Sequence, residues 1–341
     1  MVKNTIVLPP LVISDFFTDR TSTLFPILAI SIILGLFLDY VILTQSKSLG
    51  TFKYYVLNQS IWAQLFEVLM ILLNPVFLTP YFAGYMGGIF RNTAGYAATS
   101  AVSALCFSLF FNNILGTILS LVNRYILTFH PEWRKYLENK ITISVIVAFH
   151  VFMYAMDVYF YFTAPENSDV GRNMAINETK NALKKYYNEP TFIYSSEQGG
   201  EARKIWIILF AIVFGLSFIL LTSAAIFIRN VLVFRRKKGV VSRTSFYLLI
   251  SAVVQVVLCV VFLFIPIGWL ALAYALNIQN RANLTNGLIM LVSIYGTVDT
   301  ITTLYFIMPY RKFCLRLIGQ NLRSRKISMT SQELLFTTRN K

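Results

Sequence analysis

The sequence predicts an all-α membrane protein: a seven-transmembrane helix bundle with a short amphipathic eighth helix. Three observations point there. Of the 341 residues, 56% are hydrophobic and only 13% charged, whereas a soluble domain is nearer a quarter charged. Mean hydropathy is +0.63. No charged residue interrupts the 32 positions between Arg91 and Arg124. At about 1.5 Å per helical residue that stretch covers roughly 48 Å, more than a hydrocarbon core about 30 Å thick. It can span the bilayer, but must tilt or protrude.

Seven such stretches follow in order, at about 24–44, 56–78, 95–127, 141–163, 205–234, 245–276 and 286–308. Residues 1–23 precede the bundle, the bundle occupies 24–309, and a tail runs through 310–341. Span two carries Asn74-Pro75, and the proline should kink it, since proline removes a backbone donor. The next segment, TPYFAGYMGGIFRNT, reads as a turn-rich break at the surface. Span three holds Ser100, Ser103, Ser108, Asn112, Asn113, Thr117 and Ser120, which suit a helix packed by other helices rather than by lipid. The sequence predicts an abrupt stop at Asn123-Arg124-Tyr125. The connection 164–204 reads as a polar loop, and Pro266 should break span six.

An odd number of spans places the termini on opposite sides. With the amino terminus outside, the inner segments hold 20 lysines and arginines and the outer ones 10. Six of the outer ten lie in the long 164–204 connection, beside six acidic residues. Long loops weigh little in the positive-inside rule, so an extracellular amino terminus and a cytoplasmic tail follow, in the plasma membrane. The net charge of +15 is accounted for by this asymmetry, so nucleic acid is not an expected partner. The sequons at Asn177 and Asn283 both fall outside and are candidate glycosylation sites, Asn177 the better acceptor. A third match, at Asn58, lies near the inner face and is set aside. No cysteine falls in an outer loop, so no disulfide framework is expected; Cys106 and Cys259 read as packing residues.

Ionisable residues within spans are candidates for function, because each is costly in hydrocarbon. Glu67, Asp157 and Asp299 stand out. Asp39 reads as a solvated helix end and His150 as a satisfied polar core residue. Two histidines and three scattered cysteines make no usual metal site, so no metal or cofactor is expected. There is no HExxH, GxSxG or P-loop, and no convergent catalytic set, so no enzyme is expected.

The inner face is basic. Arg124 ends span three, Arg235, Arg236, Lys237 and Lys238 end span five, and the tail opens Tyr310-Arg311-Lys312. Such a rim sets topology and attracts anionic lipid; it also offers a docking surface for a cytosolic partner. The segment RKFCLRLIGQNLR places Lys312, Arg316 and Arg323 on one stripe and Cys314, Leu315, Leu317, Ile318 and Leu322 on another. It reads as an interfacial helix with Cys314 a palmitoylation candidate. The remaining tail reads as disordered, with serine and threonine phosphorylation sites.

Finer motifs resemble one family. They are DYVILTQSKSLGTFKYYVLN, NPVFLTPYFAGYMGG, Asn123-Arg124-Tyr125, Gln255 followed by Ile265-Pro266, and YGTVDTITTLYFIMPYRKF. Their order and spacing resemble the nematode serpentine chemoreceptors, the Srh class of the Str superfamily of G-protein-coupled receptors, over about 24–319. One departure is TQSKSLG in the first inner loop, where a threonine-proline pair is usual. The resemblance implies a chemosensory receptor that detects an external, odorant-like small molecule and activates a cytosolic heterotrimeric G protein. It also suggests the ciliary membrane of sensory neurons. Arg124 with Tyr125 and Asn123 would form the inner switch, and Arg235 to Lys238 with Tyr310 to Lys312 the docking surface. By analogy the ligand would lie between the outer halves of spans three, five, six and seven. Two rivals are a seven-span ligand-gated channel and an ion-coupled secondary transporter using Glu67 and Asp299; neither internal repeats nor the charge asymmetry favours them.

Overall fold

A computed structural model describes residues 10–46, 50–163, 168–238 and 243–319. Lys47 and the tail from residue 320, with Leu322, Arg323 and the expected disorder and phosphorylation sites, lie outside the described residues.

Seven helices are long and apolar enough to cross a membrane. Spans one to five are Thr21–Gln45, Phe52–Leu73, Tyr96–Phe129, Lys140–Thr163 and Glu201–Lys238. Span six runs from Arg243–Cys259 through a π-helical turn, Val260–Phe264, into Ile265–Ala275. Span seven is two helices, Ala282–Val292 and Tyr295–Phe306. An eighth helix covers 308–319. We call the end of the bundle beside residues 10–20 the amino-terminal face, and the end beside 308–319 the carboxy-terminal face.

Span three is central. It packs on spans two, four and six, while span seven packs on spans one, two and six. Span four is peripheral, with none of its most apolar stretch buried against protein. In span three, Ser108, Asn112, Asn113, Thr117 and Ser120 are buried, as expected of a helix packed by helices. Ser100 and Ser103 are not, because the helix emerges from the bundle near the amino-terminal face. The helix also continues past Asn123-Arg124-Tyr125 to Phe129.

Several sequence expectations are corrected. Span two ends at Leu73, because Asn74 adopts a left-handed backbone (φ 41°). Pro75 therefore opens strand β1 (Pro75–Phe77) instead of kinking a helix. The glycine-rich segment that follows is not a surface turn. Its Ala83–Met86 forms β2, buried throughout, antiparallel to β1. A Cβ on Gly84 would stand 3.0 Å from the Val76 carbonyl, which is why a glycine serves there. The 164–204 connection is ordered where described: a helix, Ser168–Thr179, and strand β3 (Ile193–Tyr194), which completes the sheet β1-β2-β3. In span six the π turn comes before Pro266, which sits in the first turn of the following helix; π turns and prolines both interrupt the regular bond ladder.

The sheet roofs the amino-terminal face. Ile13, Val76, Leu78, Tyr85, Leu183, Tyr186, Phe192 and Tyr194 pack beneath it as one cluster. The chain's start is tied down by Leu11 N–H to Ala182 O at 3.1 Å and Ile13 N–H to Tyr186 Oη at 3.1 Å. Arg91 grips Glu189 with two bonds, 2.5 and 2.9 Å. Glu178 accepts from Tyr194 Oη at 2.6 Å, from the Glu197 N–H at 2.9 Å and from Ser196. Burial works against the Glu178 charge, yet the donors from Glu197, Ser196 and Tyr194 outweigh it and hold its carboxyl below the usual range. All three cysteines are free thiols, so this roof is held by packing and hydrogen bonds.

Candidate functional site

The polar residues that a membrane helix can least afford converge on the half of the bundle nearer the carboxy-terminal face. Span six supplies the hub. Ser251 and Gln255 are four residues apart, hence one helical turn apart on one face, and both are buried. Arg124 of span three donates from Nη1 to Ser251 Oγ at 3.1 Å. One turn further from the carboxy-terminal face, Gln255 donates to Asp299 Oδ1 at 3.0 Å and to Thr303 Oγ1 at 3.0 Å, both on span seven. Span two joins through Gln59, which donates to both Asp299 oxygens at 3.3 and 3.2 Å. Span six is thus tied to spans three and seven at two consecutive turns.

Arg124 is only 1% exposed, so it lies inside the bundle and is not part of an open rim. Its guanidinium stands over the Phe52 ring at 5.5 Å, but Nε and Nη2 have no hydrogen-bond partner among the described residues. Asn113 (Nδ2 and Oδ1), Ser120 Oγ and Gln59 Oε1 likewise have no partner among the described residues, whereas the Tyr295 side chain bonds Thr117 and Cys259. Asn113, Thr117, Ser120 and Arg124 share one face of span three by helical spacing.

Glu67 is fully buried and meets the break in span seven, where its Oε1 accepts from Thr297 Oγ1 at 2.6 Å and its other oxygen from the Thr297 N–H. Asp157 faces Ser108, and its Oδ2 has no partner among the described residues. Asp39 is not simply a solvated helix end. It accepts from Ser60 at 3.3 Å and Gln64 at 3.2 Å, joining spans one and two. His150 is a polar packing residue: Nδ1 bonds Asn112 at 2.7 Å and the ring stacks on Trp62 at 4.9 Å.

Toward the carboxy-terminal face, Asn123 is buried and the Tyr125 hydroxyl accepts from Asn230 of span five at 3.2 Å. Tyr310 is fully buried among Leu38, Ile42, Phe52 and Val56 and shares a 2.6 Å bond with Ser46. That corrects its place in a docking surface: in this arrangement it joins the eighth helix to span one. Arg311 stacks over Tyr247 at 4.6 Å, and Lys312 is exposed. Arg235 to Lys238 form the last turn of span five; their side chains lie outside the described residues. Cys314 is half-buried on the eighth helix, and burial pushes its thiol above the ordinary range. Asn177 is exposed near the end of its helix. Asn283 is also exposed, but its Oδ1 accepts from Ser14 N–H at 2.9 Å, and the Thr285 of its sequon is fully buried. Among the described residues no group of three or more His, Cys, Asp or Glu could hold a metal ion.

The fold and this seam define a seven-span membrane protein with buried polar ties between its helices. The sequence model of the serpentine type 7TM GPCR chemoreceptor Srh family matches residues 18–320, and the chain belongs to that family. No curated protein matches the chain.

Sequence reasoning missed Ser251, Gln59, Phe52, Thr303 and Tyr295. The signal for one was present: Ser251 stands at helical i, i+4 spacing from Gln255 in an otherwise apolar span. Gln59 was hidden inside the sequon match that had been set aside.

Proposed function

We propose that this chemoreceptor detects an external small molecule at its amino-terminal face and activates a cytosolic heterotrimeric G protein at its carboxy-terminal face. The orientation rests on 20 lysines and arginines on the inner side against 10 on the outer. The observation that carries the switching mechanism is the double tie on span six, Arg124–Ser251 and Gln255–Asp299/Thr303. Beyond those ties span six is interrupted by the π turn Val260–Phe264 and Pro266. A helix interrupted at one end and tied at the other can swing when the ties release. A ligand bound toward the amino-terminal half would shift the equilibrium by the difference between its affinities for the tied and released bundles. Release would free Arg124 to act with the basic residues of the carboxy-terminal face, Arg235 to Lys238, Arg311 and Lys312.

Arg124→Ala tests this reading. Surface expression should persist while ligand-evoked G-protein activation is lost. Undiminished activation in that variant would sink the proposal.

A further inference from the structure

Span seven is broken at Ser293-Ile294, between its two half-helices. The first amides of a helix have no partner within it, and in a bilayer no water supplies one. The residue at the cap of the second half-helix, Ile294, has no side-chain acceptor. The acceptor comes from another helix. Glu67 of span two accepts the Thr297 N–H and, at 2.6 Å, the Thr297 hydroxyl. The Gly296 N–H and the Ser31 hydroxyl lie against the same carboxylate. These amides belong to the second and third residues of the half-helix Tyr295–Phe306, the positions a local Ser or Asp cap would serve. A carboxylate there also faces the positive end of the helix dipole.

The fit depends on Gly296. A Cβ at that position would stand 2.8 Å from the Ala63 carbonyl oxygen and would overlap the Glu67 carboxylate. Spans two and seven can therefore approach at this level only with a glycine. One turn along the half-helix come Asp299 and then Thr303, the partners of Gln255.

We propose that Glu67 is a positioning residue: a helix cap supplied by span two that fixes the second half of span seven, and thereby sets Asp299 and Thr303 opposite Gln255. Its carboxylate is occupied by donors from the protein, which suits a joint and not an ion carrier. The signalling consequence rests on the receptor reading above; the cap itself does not.

The test uses the full chain purified into lipid nanodiscs, with Glu67→Gln, Thr297→Val and the double variant. Each single change should lower the melting temperature by roughly 2–6 °C. The double variant should fall short of the sum of the singles, because both act on the contact between Glu67 and Thr297. A double drop equal to the sum of the singles, or a Glu67→Gln variant that melts like the wild type, overturns the cap. Ligand-independent G-protein activation per surface receptor is the second readout. Glu67→Gln should raise it several-fold, and the Glu67→Gln, Gln255→Leu double variant should reach no higher than Gln255→Leu alone. If Gln255→Leu raises it and Glu67→Gln does not, the positioning role is overturned. If the melting data couple and neither variant changes signalling, the cap stands and the tie-release mechanism of span six falls. Should Glu67→Gln fail to reach the surface, Thr297→Val is read the same way, since it removes one donor and leaves the carboxylate.

Discussion

Gln255→Leu isolates one of the two ties on span six. Leucine nearly preserves volume, so the change removes polarity with little packing loss. Two hydrogen bonds go: one to the Asp299 carboxylate and one to the Thr303 hydroxyl, each 3.0 Å. A bond to a charged group contributes about 1.5–3 kcal/mol and a neutral one about 1 kcal/mol. The full sum overstates the effect. Asp299 keeps Gln59 at 3.2 and 3.3 Å, and a threonine hydroxyl in a helix can turn to its own backbone. The lower end, about 2 kcal/mol, is the appropriate figure, and at about 1.4 kcal/mol per decade it shifts the tied-to-released ratio roughly 30-fold. If release is the signalling step, ligand-independent activation per surface receptor should rise by that order before saturating. The assay pairs a G-protein activation reporter with surface labelling of the same cells. Basal activation equal to wild type, at equal surface level, would refute the idea that this tie holds the resting state.

Four further outcomes follow from particular contacts. Asn113→Leu should melt no lower than wild type, because it removes an orphaned buried amide whose burial costs about 1–3 kcal/mol; a lowered melting temperature would reveal a partner. Arg91→Ala should cost less than about 1 kcal/mol, since the Arg91–Glu189 pair is partly solvated, and chemical denaturation measures it. Tyr310→Phe should cost about 1 kcal/mol through the lost Ser46 bond, read as a melting shift. Glu178 gives a pH signature: its folded carboxyl lies below the ordinary value of 4.5, so its contribution is present above that pH and is lost as pH falls below it. Proteolysis of the 168–200 region should therefore accelerate on acidification below 4.5, and Glu178→Gln should flatten that response.

The spans were legible because each needs a long apolar run, and hydrocarbon thickness fixes its length. The roof was not, because its strands are two to four residues long and made from turn-like letters such as Ala83-Gly84-Tyr85-Met86. Pairing between residues more than a hundred positions apart, as for Gly84 and Ile193, leaves no local periodicity to read. The break in span seven was equally silent. Ser293-Ile294 is neither glycine nor proline, and the acceptor that serves the amides after the break is Glu67, a contact across 230 positions. In the site, Arg124, Glu67 and Asp299 announced themselves by charge. Their partners Ser251, Gln59 and Thr303 are ordinary neutral residues, and only the packing selects them.

The choice of neutral partners is itself informative. Arg124 and Asp299 carry opposite charges in one buried seam, yet Arg124 is held by Ser251 and Asp299 by Gln59 and Gln255. Breaking a buried ion pair by removing one partner costs about 3–5 kcal/mol. A small, mostly apolar ligand that buries about 100–150 Å² gains only about 2.5–4 kcal/mol at about 25 cal/mol per Å². Ties of about 1–3 kcal/mol, made by amide and hydroxyl groups, stand within that range, whereas a direct Arg124–Asp299 bridge would exceed it. On this reasoning, Ser251→Asp, which gives Arg124 a full counter-charge, should leave the protein folded and raise the ligand concentration needed for half-maximal activation by at least tenfold. An unshifted concentration-response curve would show that the Arg124 tie does not set the threshold.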